Sequence, residues 1–120
     1  MNPPGPGPLA SLQQELREFV AERDWDQFHS PKNLATALSV EAAELLENFQ
    51  WLREEDSRRL APERLEKVRQ EMADVFIYLL RLSDKLEVDL LAAARDKMKL
   101  NAQRYPADKA KGSIRKYTEY

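Results

Sequence analysis

The chain has 120 residues, 33% of them charged, with a formal net charge of −2 and no cysteine. That length holds one domain; the near-neutral charge without a basic run excludes an electrostatic nucleic-acid surface, and the lack of cysteine excludes disulfides, thiol nucleophiles and zinc–thiolate sites. No stretch reaches the roughly 18 apolar residues of a membrane span and the N-terminus carries no signal-peptide pattern, so the sequence reads as cytoplasmic, with no membrane partner.

Met1 to Pro8 contains four prolines and two glycines. Such a segment propagates neither helix nor strand and is expected as a disordered arm over residues 1–8. From Leu9 the pattern changes: Leu9, Leu12, Leu16, Phe19 and Val20 recur at steps of three and four, predicting an amphipathic helix to about Trp25 or Asp26. Gln27 to Ser30 form a joint. His29, the only histidine, lies there and reads as a surface or capping residue rather than a ligand.

Ser30 to Leu52 reads as one helix, with Ser30 as cap and Pro31 at the first helical position. Leu34, Ala37, Leu38, Leu45 and Leu52 share one face, and Glu41 points out of its middle with Glu44 one turn on at the edge. A carboxylate centred on an apolar stripe requires a basic partner, a proton or a metal ion. Trp25 and Trp51 close the first two helices, each either a plug over a core end or a flat surface for a nucleobase.

Arg53 to Ala61 is dense in charge, and Pro62 restarts a helix that runs to about Lys85. Leu65, Val68, Met72, Val75, Phe76, Leu79 and Leu86 make a broad apolar face, while Ile77 and Leu80 lie elsewhere. Val75 to Leu82 is thus apolar nearly all round, which predicts a subunit interface. Glu71 and Asp74 fall on the less apolar side with Lys67, Tyr78 and Arg81; standing alone they would read as a solvated face. Asp89 caps a fourth helix, about Leu90 to Arg104, with Leu90, Leu91, Ala94, Met98 and Ala102 available to face a bundle and Arg95, Lys97, Lys99 and Asn101 opposite. Pro106 stops it. The tail holds Lys109, Lys111, Arg115 and Lys116, with Arg104 upstream, and reads as a solvated segment or a cover for a polyphosphate. Four helices with short connections predict an all-α, four-helix bundle.

Elimination narrows the chemistry. One histidine supports neither a Ser–His–Asp triad nor the two Glu-x-x-His pairs of a di-iron bundle. A glycosidase pair would need an aromatic-lined cleft of a larger enzyme. Glu41-x-x-Glu44 and Glu71-x-x-Asp74 remain, each pair on one helix face. If the pairs face each other, four carboxylates surround one volume, and oxygen-only ligands select hard cations such as Mg²⁺ or Mn²⁺.

Glu41-Ala-Ala-Glu44, then Glu47, then Glu71-Met-Ala-Asp74, resembles the motif of the MazG-like all-α nucleotide pyrophosphohydrolases. The runs Glu22 to His29, Ser30 to Leu34, Phe49-Gln-Trp51, Asp74 to Tyr78, Lys97-Met98, Asn101, Arg104-Tyr-Pro106 and Arg115 to Glu119 resemble its dCTP pyrophosphatase branch. The resemblance covers nearly everything after the arm. It implies a helical domain over 9–105 and a basic tail over 106–120. The implied activity is hydrolysis of a deoxynucleoside triphosphate, dCTP or a modified dCTP, to monophosphate and pyrophosphate with Mg²⁺, water attacking the α-phosphorus. It implies Glu41, Glu44, Glu71 and Asp74 as metal ligands, and Glu44 or Glu47 as the group that orients or deprotonates the water. Trp25, Trp51 and Tyr78 would lie at the base, and Lys97, Asn101 and Arg104 at the sugar or phosphates. The implied assembly is a homotetramer built as a dimer of dimers. Some members carry a histidine in the first helix near the base where this chain has Leu16, which separates the metal chemistry from the base preference.

Overall fold

The computed structural model describes residues 5–119, and among them there is no strand. Helices α1 (Pro8–Glu22), α2 (Pro31–Glu47), α3 (Glu54–Ser57), α4 (Pro62–Lys85), α5 (Leu90–Arg104) and α6 (Ala107–Ala110) follow in order. Single 3₁₀ turns at Asp26–Phe28 and Tyr117–Glu119 complete the described chain. The fold is all-α, as the periodicity predicts. It divides into two compact units, one ending at Glu87 and one starting at Val88.

In the first unit α2 packs along α4, and α1 lies against α4. Val20, Leu34, Val68 and Leu80 are its buried apolar side chains. Three helices begin at proline, whose fixed φ and missing N–H suit a first turn. Ser30 caps α2 as expected, its hydroxyl accepting from the Asn33 amide at 3.2 Å. Of the expected arm, residues 1–4 lie outside the described residues, and Pro8 already belongs to α1.

Two helix ends differ from the periodicity. α1 stops at Glu22 rather than near Trp25, because Asp24 turns into the left-handed region (φ 53°). The Trp25 amide then donates to the Val20 carbonyl at 3.0 Å and the Asp24 amide to Ala21 at 3.1 Å, a Schellman closure. α2 stops at Glu47 rather than Leu52. The Asn48 amide reaches back to Leu45 instead of Glu44, whose carbonyl accepts from the Asn48 side chain at 3.2 Å. Arg64 then donates to the Asn48 carbonyl at 2.8 Å, tying this turn to α4.

α4 runs over the expected span, but its broad apolar face is only partly covered, with Val68 buried. The Glu71, Asp74, Tyr78 and Arg81 side, which alone would read as solvated, turns inward: Arg81 is 4% exposed and the other three are partly buried. On the broad apolar face Leu65, Met72, Phe76, Leu79 and Leu86 remain exposed.

The second unit is α5, α6 and the C-terminal turn. Asp89 caps α5 as expected, accepting from the Ala92 amide at 3.1 Å. Leu91 and Met98 are exposed on it. The tail is ordered locally: the Tyr105 and Tyr117 rings meet edge-to-face at 5.8 Å and the Arg104 guanidinium sits 4.8 Å from the Tyr117 ring centre.

Candidate active site

The α2–α4 pairing brings the two acidic motifs together. One carboxylate oxygen from each of Glu41, Glu44 and Glu71 lies within 4.8 Å of the others. Glu41 Oε2 and Glu71 Oε2 are buried and have no hydrogen-bond partner among the described residues. Glu41 is pushed up to about 7, first by burial, then by the close carboxyls of Glu71 and Glu44, then by the charges of Glu44 and Asp74. Three carboxyls crowded around unpartnered buried oxygens form a negative site that only protons or a cation can relieve. All-oxygen donors fit a hard divalent ion such as Mg²⁺ or Mn²⁺.

Asp74 stands beside this trio, close enough for its charge to act on Glu41, and its side chain opens into an apolar cavity of about 390 Å³. Leu16, Phe19 and Val20 of α1, Trp25, and Ile77 and Tyr78 of α4 supply the apolar wall. Phe19 and Trp25 meet edge-to-face at 5.7 Å, so one wall is a braced aromatic surface. Beside the trio is a polar cleft of about 330 Å³, lined by Glu44, Glu47, Asn48, Lys67, Gln70 and Glu71. The carboxylates thus adjoin an aromatic pocket through Asp74 and a polar cleft that holds a lysine through Glu44 and Glu71.

Of the expected site residues, Glu41, Glu44 and Glu71 converge, Asp74 flanks them, and Glu47 lines the cleft next to Glu44. Trp25 and Tyr78 share the aromatic cavity, with Leu16 opposite. Trp51, in the turn after α2, is 87% exposed and lines neither cavity. Lys97 and Asn101 are exposed one turn apart on α5, and Arg104 ends that helix.

His29 is the C-cap of the Asp26–Phe28 turn, its amide donating to the Asp26 carbonyl at 3.0 Å, and its side chain is partly buried rather than plainly on the surface. It lines the apolar cavity, and its Nδ1 accepts from Arg81 Nε at 3.4 Å. Burial first, then the Arg81 charge, holds its pKa below the ordinary imidazole value. Arg81 also donates to Asp26 at 3.1 Å and Asp84 at 3.3 Å. The sequence places Arg81 only on the less apolar side of α4, with Lys67 and Tyr78. The single available signal was the Arg81–Asp84 spacing, which many exposed helices share.

An all-helical scaffold that gathers carboxylates from two helices beside an aromatic cavity defines a class of helical proteins with an acidic cluster at their centre. Residues 36–120 match the MazG-like family, and the chain belongs to that family. The chain is 47% identical to dCTP pyrophosphatase 1 of Homo sapiens over 92% of its own length and 66% of that protein's. It is 45% identical to the Rattus norvegicus dCTP pyrophosphatase 1 with the same coverage. The chain thus spans just under two thirds of those relatives. The crystal structure of a pyrophosphatase from Archaeoglobus fulgidus superposes with a TM-score of 0.82 at 40% identity, covering 88% of this chain and 99% of that one.

Proposed function

We propose that the protein hydrolyses a deoxynucleoside triphosphate, dCTP or a modified dCTP, to the monophosphate and pyrophosphate. The observation that carries this reading is the carboxylate trio, with its two unpartnered buried oxygens, adjoining a polar cleft and, through Asp74, an aromatic pocket. The names of the human and rat relatives supply the substrate. Glu41, Glu44 and Glu71, with Asp74 beside them, would hold Mg²⁺, with Mn²⁺ as a substitute. The bound ion would neutralise negative charge on the phosphate oxygens as it develops.

The chain's own residues do the rest. Trp25 and Tyr78 offer ring faces to the base, and the apolar wall excludes water from it. Glu47, at the cleft and next to Glu44, accepts a proton from the attacking water or orients it; Glu44 shares that task. Lys67 in the same cleft meets the anionic product. Trp51, Lys97, Asn101 and Arg104 are assigned to substrate contacts on the resemblance alone. The assembly is a homotetramer, a dimer of dimers, acting in the cytoplasm on free nucleotides and not on nucleic acid. No helix among the described residues is long and apolar enough to cross a membrane.

The test is pyrophosphate release from dCTP, 5-methyl-dCTP, dTTP, dATP, dGTP and dUTP, each with Mg²⁺ and with EDTA. Mg²⁺-dependent release favouring the cytosine nucleotides supports the reading; silence across the panel with either Mg²⁺ or Mn²⁺ overturns it. Leu16 in the cavity wall favours a second reading, the same chemistry on another base such as dUTP, which the ranking within the panel decides.

A further inference from the structure

Besides Asp74, the apolar cavity has two polar side chains in its lining that the carboxylate pairs do not supply. Leu16 gives α1 no hydrogen-bonding group there, while Arg81 and His29 line the same cavity from α4 and the joint before α2. Arg81 is buried, with its side chain 5% exposed. Its guanidinium has five N–H groups. Three are engaged: Nε with His29 Nδ1 at 3.4 Å, Nη1 with Asp84 at 3.3 Å and Nη2 with Asp26 at 3.1 Å. One N–H on each terminal nitrogen has no partner among the described residues. Because His29 Nδ1 accepts, the ring proton sits on Nε2, which makes His29 a second donor. Lys85 also pairs with Asp26 at 2.6 Å and Arg17 with Asp84 at 2.8 Å, so both carboxylates that hold the guanidinium have a second cationic partner. Arg81 and His29 thus offer the pocket hydrogen-bond donors.

We propose that Arg81, seconded by His29, reads the base: it selects, among pyrimidines, a ring with acceptors at adjacent positions. Cytosine carries acceptors at N3 and O2. Uracil and thymine carry an N–H at N3, which would meet a donor and leave both buried groups unpaired. A site that leaves buried polar groups unpaired rejects the wrong ligand far more strongly than an apolar wall does. The spacing agrees. Asp74, beside the carboxylate trio, and Arg81 are two turns apart on α4, about 10 Å along its axis, comparable to a nucleotide from α-phosphate to base edge. The inference rests on the nucleotide reading above and names the specificity residue of that site.

The experiment compares kcat/KM for dCTP and dUTP in wild type, Arg81→Lys, and the double variant Arg81→Met with Asp84→Asn. Lysine keeps a cation between Asp26 and Asp84 but loses the planar set of N–H groups. The double variant removes the charge together with one of the two carboxylates that hold it; Lys85 still holds Asp26, and Arg17, half exposed, loses its ion-pair partner to solvent. The expected result is a wild-type preference for dCTP that falls about tenfold or more in both variants. A merely structural arginine would lower both activities together and leave the ratio unchanged. An unchanged ratio in variants folded by circular dichroism, or a wild type that prefers dUTP, overturns the inference while the hydrolase reading stands. If wild type turns over no nucleotide, the hydrolase reading falls instead. Calorimetric binding of dCMP against dUMP then decides: a preference lost in Arg81→Lys supports Arg81 as the reader, and equal binding overturns it.

Discussion

At the residue scale the molecule turns on Glu41. A carboxylate in the middle of a leucine stripe is visible in the sequence because it breaks a rule that its neighbours keep. The structure shows the strain that follows, with Glu41 Oε2 and Glu71 Oε2 buried and unpartnered. Glu41→Gln keeps the volume and supplies an N–H to the neighbouring carboxyls. Turnover is expected to fall about a hundredfold or more, the scale on which losing one transition-state charge stabiliser is felt. The metal-free variant should nonetheless melt above metal-free wild type in a calorimetric scan. Adding Mg²⁺ should raise the wild-type Tm, by roughly 2.7 kcal/mol of stability at a hundredfold excess over Kd, and leave Glu41→Gln almost unmoved. Arg81 was not legible in the same way. A charged side chain on a charged helix face breaks no rule, and its burial depends on α1 and the Asp26 turn folding over it, which periodicity along one helix does not encode.

At the scale of elements, helix starts were legible and two stops were not. Ser30-Pro31 and Pro62 announce α2 and α4 through chemistry local to the chain. The ends of α1 and α2 depend on Asp24 adopting φ 53° and on Asn48 capturing the Glu44 carbonyl, neither of which apolar spacing records. The C-terminal end of α4 uses the same device as α1, with Glu87 at φ 54°. A glutamate there bears a Cβ cost that glycine lacks. Glu87→Gly is expected to stabilise the protein by about 0.5–1 kcal/mol, read as a higher urea midpoint with unchanged slope. Near that end α4 also clasps α1 through Arg17, whose guanidinium bonds both oxygens of Asp84 at 2.8 and 2.5 Å. The Arg17 contact holds the Asp84 carboxyl below its ordinary value of 3.8. A depressed carboxyl stabilises the fold above its unfolded pKa, and that contribution is lost as pH falls through the lower folded value. Stability measured across pH 5 to pH 2 should fall less steeply in Asp84→Asn than in wild type, the variant being the less stable of the two near neutrality.

At the scale of the whole molecule, α4 divides its duties between two faces, and that division predicts an assembly. Its inner side presents Glu71 and Asp74 to the site and buries Val68, Leu80 and Arg81. Its outer side carries Leu65, Met72, Phe76, Leu79 and Leu86, of which Leu65, Met72 and Leu86 are more than half exposed. The spacing of Leu65, Met72, Leu79 and Leu86 is seven residues, the repeat of a seam that a second helix fills. Apolar side chains recurring over about six turns support the proposed subunit interface. Among the described residues the buried aliphatics are Val20, Leu34, Val68 and Leu80, few for a chain of this length, so burial of that seam would add stability. Sedimentation of the wild type is expected to give a multiple of the chain mass, four for the proposed tetramer. Phe76→Glu places a charge in the seam, without touching the inward ligands. It should shift the species toward monomer and lower the Tm, because burying that carboxylate unpaired costs several kcal/mol. A wild type that sediments as a monomer at micromolar concentration would show instead that the outer face of α4 is solvated.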